Sequence, residues 1–190
     1  MTNNQTILIH AGAGGVGHAA IQLAKLTGAK VITTVSSEEK ANFVKHLGTD
    51  KVIHYPTQNI VAEVLQCTDG EGVDIAFDTV GADVLQSCLS CVKPYGDVVT
   101  ILQPVSDTNW NEARMRNIRF GFEMMLTPVL MELENAKLHQ ADILRQCATL
   151  FDEKKLAIEI ACTFDLAEAA TAQRFLEQNH PIGKLVLILS

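Results

Sequence analysis

The sequence predicts an α/β protein built on a doubly wound sheet of six mainly parallel strands, followed by a C-terminal β-α-β tail. Three observations predict it. Short, β-branched apolar runs recur at intervals of 21–24 residues, with leading hydrophobes Ile7, Val31, Val52, Ile75 and Val99. The stretches between them read as helices that end on a glycine or a proline turn. The first run leads straight into a glycine-rich segment. An interval of that size holds one strand and a short crossover helix, the βαβ unit.

The elements follow in order. Residues 7–11 (ILIHA) are almost continuously apolar, as in a strand buried on both faces of a parallel sheet. Residues 31–35 (VITTV), 51–54 (KVIH) and 73–77 (VDIAF) are the next three strands. Gly28 and Gly48 stand where two of the intervening helices stop. LQSCLSCVKPYG ends a fourth helix, Pro94-Tyr95-Gly96 turns, and residues 97–102 (DVVTIL) make the fifth strand. Beyond residue 103 the rhythm weakens. QPVSDTNWNEARM is polar and turn-like, and residues 117–122 (NIRFGF) are a sixth strand. Residues 124–133 and 141–151 read as helices. The tail supplies an apolar run at 158–164, a helix at 166–178 and a last run at 184–189.

Gly12-x-Gly14-x-x-Gly17 leaves the first strand and opens a helix. In the dinucleotide-binding reading Gly12 permits a tight turn, Gly14 lets backbone approach a pyrophosphate, and Gly17 lets helix and strand pack closely. The helix N-terminus then supplies N–H groups and positive potential to the phosphates. A glycine-rich turn alone is weak evidence. At the end of the first strand of a βαβ series it points to a Rossmann dinucleotide site. His18-Ala19 stand where a Walker loop needs Lys and Ser/Thr. The second strand ends in Ser36-Ser37 with no carboxylate to hold a ribose diol. Two hydroxyls with Lys40 one turn on suit a 2′-phosphate, hence NADP(H) rather than NAD(H). Equally, Ser36 or Ser37 caps a helix with Glu39 as its box partner, and the two readings are compatible.

The chain has 190 residues, 47% hydrophobic and 19% charged, which suits one soluble globular domain. No apolar run approaches the roughly 18 residues of a membrane helix, and MTNNQTILIH lacks a signal peptide's basic and apolar regions. The expectation is a cytoplasmic protein off the membrane. Fifteen Lys and Arg against 22 Asp and Glu, with no basic run, argue against nucleic acid as a partner. The cysteines Cys67, Cys88, Cys91, Cys147 and Cys162 are odd in number and scattered, as in a reducing compartment. Cys88-x-x-Cys91 reads as a pair of packed helix cysteines. The six histidines show no ligand spacing, so no metal site is proposed. Neither Tyr-x-x-x-Lys nor Gly-x-Ser-x-Gly occurs.

These residues together resemble the medium-chain dehydrogenase/reductases, in their zinc-independent, quinone-oxidoreductase-like branch. The likeness runs through His10-Ala11-Gly12-Ala13-Gly14-Gly15-Val16-Gly17, Ala20-Ile21-Gln22-Leu23-Ala24-Lys25, Gly28-Ala29-Lys30-Val31-Ile32 and Ser36-Ser37-Glu38-Glu39-Lys40. It continues in Leu47-Gly48-Thr49-Asp50-Lys51-Val52-Ile53-His54-Tyr55, Gly72-Val73-Asp74, Phe77-Asp78-Thr79-Val80-Gly81 and Gly183-Lys184-Leu185-Val186-Leu187. It covers nearly the whole chain. It implies that Gly12, Gly14, Gly15, Val16 and Gly17 cradle the phosphates, and that Ser36, Lys40 and Tyr55, beside Ser37, form a 2′-phosphate pocket. Thr79, Val80 and Gly81 then run beside the nicotinamide. Asp78, at a strand end, reads as an organiser of loop backbone rather than a catalytic carboxylate.

The implied activity is hydride transfer from NADPH to a quinone or an α,β-unsaturated carbonyl in the intact enzyme. No residue of this chain takes a catalytic role. Two departures stand out. The family has Gly after its fifth strand, where this chain has Leu102-Gln103-Pro104. Family members also carry an N-terminal GroES-like domain that supplies much of the substrate cleft, whereas this chain opens almost directly on the first strand. The expected division is therefore a Rossmann domain over 1–156 and a segment over 157–190 that in the family packs on the GroES-like domain. A carbonyl or quinone substrate would need that domain, and the alternative is a stand-alone nucleotide-binding module without turnover. The family pairs its sixth strand across a dimer axis, which points to a homodimer through the strand between Asn117 and Phe122.

Overall fold

The computed structural model describes residues 1–189. Strands β1 (Thr6–Ile9), β2 (Lys30–Val35), β3 (Lys51–His54), β4 (Val73–Asp78), β5 (Val92–Thr100) and β6 (Arg119–Phe122) form one sheet. Their order is β3-β2-β1-β4-β5-β6 and every pair is parallel, which is the Rossmann order. Ile7 lies opposite Val31 on one side and Ile75 on the other. The strand order reverses between β1 and β4, and a crevice opens there beyond the strand ends.

The crossovers are α1 (Gly17–Leu26), α2 (Glu38–His46), α3 (Ile60–Cys67), α4 (Asp83–Cys91) and α5 (Trp110–Met115). Local chemistry sets their ends. The Asn59 side chain caps α3 by accepting from the Ala62 N–H at 3.0 Å. Helix α2 carries Glu38 and Glu39 in its first turn and Lys45 and His46 in its last, which complements the helix dipole.

Alternation along the strands sends side chains to two cores. Leu8 joins Ile53, Val64, Leu85 and Leu89 on the side of α3 and α4. Ile7 and Ile9 join Ile21, Val31 and Val44 on the side of α1 and α2. Cys88 and Cys91 are fully buried in the first core. Burial pushes the Cys88 thiol well up and that of Cys91 up to about 12, so both act as small apolar side chains. Strand β6 is an edge of the sheet.

Several boundaries differ from expectation. Strand β1 stops at Ile9 because residues 10 and 11 already turn into the glycine loop. Strand β5 begins at Val92 and contains the Pro94-Tyr95-Gly96 turn. Its register jumps from Val73↔Val92 to Ile75↔Asp97, and Tyr95 takes φ +63°. The segment 124–133 holds only the short helix α6 (Thr127–Leu130), because Glu132 at φ +53° breaks the helical path. Helix α7 (Glu134–Asp152) starts seven residues earlier than 141. The polar stretch before β6 contains α5.

The tail forms a second, two-stranded parallel sheet of β7 (Ile160–Asp165) and β8 (Lys184–Ile188). They are joined by a 3-10 turn (Leu166–Glu168) and α8 (Ala169–Asn179), which divide the predicted single helix. Asp165 and Glu168 make a reciprocal capping box at that junction. Ser190 lies outside the described residues. Among those described, no helix is long and apolar enough to cross a membrane.

Candidate functional site: a cleft over the glycine loop

The C-terminal ends of β1, β2 and β4 open into a cavity of about 570 Å³. Gly14 and Gly15 line it from the loop, Ser36, Lys40 and Tyr55 from beyond β2 and β3, and Thr79 and Val80 from beyond β4. A smaller cavity of about 350 Å³ continues over Gly14, Gly15, Val16 and Gly17.

The glycine loop is tied to β2 past the end of the regular ladder. The Gly12 N–H donates to the Thr34 carbonyl at 3.1 Å, and the Ala11 N–H donates to Thr34 Oγ1 at 3.0 Å. The tight turn falls on Ala11, at φ +48°, and not on Gly12. Gly12 is required for a different reason: a Cβ there would fall on the Thr33 hydroxyl, which donates to the Ile9 carbonyl at 2.6 Å. At Gly17 a Cβ would strike the Ala11 carbonyl oxygen and lie 2.7 Å from the Gly12 Cα, so the helix start packs directly on the loop. At Gly14 a Cβ would meet only the Ala11 oxygen, at 3.1 Å, and otherwise face open space. At Gly15 it would run into the Lys184 side chain, at 2.7–3.0 Å. Helix α1 has no side-chain cap and no acidic residue in its first turn, so its positive end faces the cavity uncompensated.

At the end of β2, Lys40 Nζ donates to Ser36 Oγ at 3.1 Å, and both line the larger cavity. Among the described residues no carboxylate pairs with Lys40. Ser37 turns away from the cavity and caps α2, its hydroxyl accepting from the Lys40 N–H at 3.3 Å. That places Lys40, not Glu39, at the third helical position, so the expected capping box with Glu39 is absent and Ser36 is left to the cavity. Tyr55 is 50% exposed at the cavity rim.

Beyond β4, Asp78 is fully buried. Its Oδ1 accepts from the Val80 N–H at 2.9 Å and the Gly81 N–H at 2.8 Å, and its Oδ2 accepts from Thr100 Oγ1 at 2.8 Å. Its geometry is that of a loop organiser. Thr79 Oγ1 donates to the His10 carbonyl at 2.9 Å and pins this loop to the first. Gly81, at φ +80°, lies behind Val80 with Leu102 packed over it.

The sequence reading missed several lining groups. His10 is one. Its Nδ1 lies 3.3 Å from Thr34 Oγ1, the hydroxyl that also accepts from the Ala11 N–H. Among the described residues its buried Nε2 has no partner, and burial lowers the His10 pKa to about 4, leaving the ring neutral. Leu176, His180, Pro181 and Gly183 come from the tail. Gly183-Lys184 stood in the resemblance as a motif, but nothing local in the sequence shows that it folds over residue 15.

Comparison with known proteins places this geometry. The chain matches the family model described as zinc-binding dehydrogenase over residues 47–187. It is 34% identical to the 2-haloacrylate reductase of a Burkholderia species over 96% of this chain and 55% of that protein. It is 33% identical to the quinone oxidoreductase of Pseudomonas aeruginosa over 99% of this chain and 58% of that protein. The Escherichia coli quinone oxidoreductase complexed with NADPH superposes with a TM-score of 0.87 at 26% identity, over 100% of this chain and 58% of that one. The chain thus spans somewhat more than half the length of these relatives. The zinc in the family's description finds no fit: among the described residues no three His, Cys, Asp or Glu side chains are grouped to hold a metal. With its Rossmann sheet and glycine loop, the chain belongs to the zinc-binding dehydrogenase family, as the nucleotide-binding half of its quinone-oxidoreductase-like, medium-chain members.

Proposed function

We propose that the cleft binds NADP(H), and that the chain is the cofactor-holding half of a reductase acting on quinones or α,β-unsaturated carbonyls. The observation that carries the cofactor choice is the Ser36–Lys40 pair, a hydroxyl and an ammonium 3.1 Å apart at the end of β2, facing the same cavity as the glycine loop. A ribose 2′-phosphate suits that pair, and an acidic residue that would repel it is missing from the strand end.

The bound nicotinamide would supply hydride at C4. This chain's residues do the holding. Gly14 and Gly15 bring backbone and the positive end of α1 to the pyrophosphate. Ser36 and Lys40 hold the 2′-phosphate, with Tyr55 at the rim. Thr79 and Val80, fixed by Asp78, border the nicotinamide end. No side chain here is assigned a proton or a bond to break. The reading of the intact protein as a reductase is supported by the likeness to a quinone oxidoreductase and a 2-haloacrylate reductase.

Calorimetric titration with NADPH and NADH tests the reading. A charge-assisted contact to phosphate contributes about 1.5–3 kcal/mol, so Lys40→Ala is expected to weaken NADPH about 10–100-fold and leave NADH within threefold. Equal losses for both nucleotides would overturn the 2′-phosphate assignment, and no binding of either would overturn the site.

A further inference from the structure

The tail is joined to the nucleotide cleft by two side chains of α1 that do not themselves line the cavities. His18 and Gln22 stand one turn apart, on the same face of that helix. The His18 Nδ1 lies 2.7 Å from the Gly14 carbonyl oxygen, which only accepts, so Nδ1 carries the proton. Its Nε2 is then an acceptor, and it receives the Glu159 N–H at 3.3 Å. One imidazole thus bridges the glycine loop and the start of the tail.

Gln22 brackets the next backbone group with both ends of its amide. Its Nε2 donates to the Ala157 carbonyl at 2.8 Å, and its Oε1 accepts the Ala157 N–H at 2.9 Å. A third link closes the seam where the tail returns: the Gly183 N–H donates to the Ala13 carbonyl at 2.9 Å. Between these links the tail presents Leu176, Pro181 and Gly183 to the larger cavity and Lys184 to the smaller. One wall of the cleft is therefore held in part by contacts made outside the cavities, those of His18 and Gln22.

We infer that Gln22 and His18 form a latch that seats the C-terminal segment over the glycine loop, so that nucleotide affinity depends on positioning residues outside the nucleotide site. The inference rests on the dinucleotide reading of the cleft. By linkage, a nucleotide that touches the seated wall must also hold the wall closed.

The Gly183 amide reports the seam, and hydrogen exchange on the full chain reads it. Gln22→Met keeps the side chain's length on a partly exposed helical position and removes both hydrogen bonds to Ala157, together with the one that Nε2 donates within α1 to the His18 carbonyl at 3.0 Å. Losing two neutral hydrogen bonds is expected to speed Gly183 exchange roughly tenfold and to weaken NADPH by up to the same factor. The amides of Leu8 and Ile9, deep in the sheet, keep their wild-type exchange. NADPH added to the wild type slows exchange at Gly183. Unchanged Gly183 exchange in Gln22→Met overturns the latch, as does faster exchange with NADPH affinity unaltered. A wild-type chain that binds no NADPH overturns the dinucleotide reading instead, and Gly183 exchange in the variant still decides whether Gln22 docks the tail.

Discussion

Asp78 offers the sharpest test of how the cleft is held in shape. Its carboxylate is fully buried and accepts three hydrogen bonds, from the Val80 N–H, the Gly81 N–H and the Thr100 hydroxyl. Asp78→Ala removes every acceptor. The Thr100 hydroxyl can turn to the Leu102 carbonyl, 3.4 Å away, but the two N–H groups have no such recourse. The Gly81 N–H is buried and costs about 1–3 kcal/mol when unsatisfied, whereas the Val80 N–H is part-buried at the cavity and within reach of water, so the expected loss is about 2–4 kcal/mol, a large share of a domain's 5–15 kcal/mol. Asp78→Asn keeps Oδ1 for both N–H groups and turns an amide donor toward Thr100, so its loss is expected below about 1.5 kcal/mol. Urea denaturation at pH 7, with the slope compared among the three proteins, measures both. A loop organiser also predicts that Asn keeps NADPH binding near wild type and Ala does not. An Ala variant within about 1 kcal/mol of wild type would refute the reasoning. So would an Asn variant as unstable as Ala, because the charge and not the acceptor would then matter.

Two further predictions come from the same loops. Gly14→Ala meets one oxygen at 3.1 Å and is expected to leave stability within about 0.5 kcal/mol while lowering NADPH affinity. Gly17→Ala drives a methyl into loop backbone and is expected to destabilise by about 1–3 kcal/mol. Thermal melts beside titrations check the pair, and equal stability losses would contradict it. His10 gives a pH signature. Its folded pKa of about 4 lies below the unfolded 6.5, so between those values the unfolded chain takes up a proton that the folded chain refuses. Stability from this group is complete above pH 6.5 and falls with pH, reaching a loss of roughly 3 kcal/mol near pH 4 and below. Urea midpoints from pH 7 to 4 in wild type and His10→Leu measure it. The variant is expected to lose that part of the slope, and parallel curves would rule His10 out.

The sheet was legible because its cause is local and periodic. Apolar runs such as VITTV and VDIAF, punctuated by Gly28 and Gly48, admit few arrangements other than parallel strands with crossovers. The Gly12-x-Gly14-x-x-Gly17 loop was legible for the same reason. Less of the last third could be read. Residues 124–133 have apolar helical spacing, yet Glu132 at φ +53° breaks the path, and backbone sign is not written in composition. One side of the cleft wall was also hidden, since Leu176 and Pro181 are brought to it by the Gln22–Ala157 and Ala13–Gly183 contacts, between residues 135 and 170 apart in the chain. The division of labour between neighbouring serines shows the same limit. Ser36 and Ser37 are indistinguishable as letters, and only the backbone path sends one to the cavity and the other to the helix end.

The Thr33 hydroxyl beneath Gly12 has a consequence for how this sequence can vary. Residues 12 and 33 share one small volume, and the hydroxyl that fills it also satisfies the Ile9 carbonyl at the end of β1. Position 12 is not free to change alone, and a change at 33 that removes the hydroxyl costs the Ile9 carbonyl its donor. A methyl at 12 has room only if 33 gives up its hydroxyl and the Ile21 side chain end, 2.8 Å away, shifts aside, and then the strand end loses its donor. The first glycine of the loop and the middle of the second strand are therefore coupled sterically, and homologues with a side chain at 12 are expected to carry a smaller residue at 33.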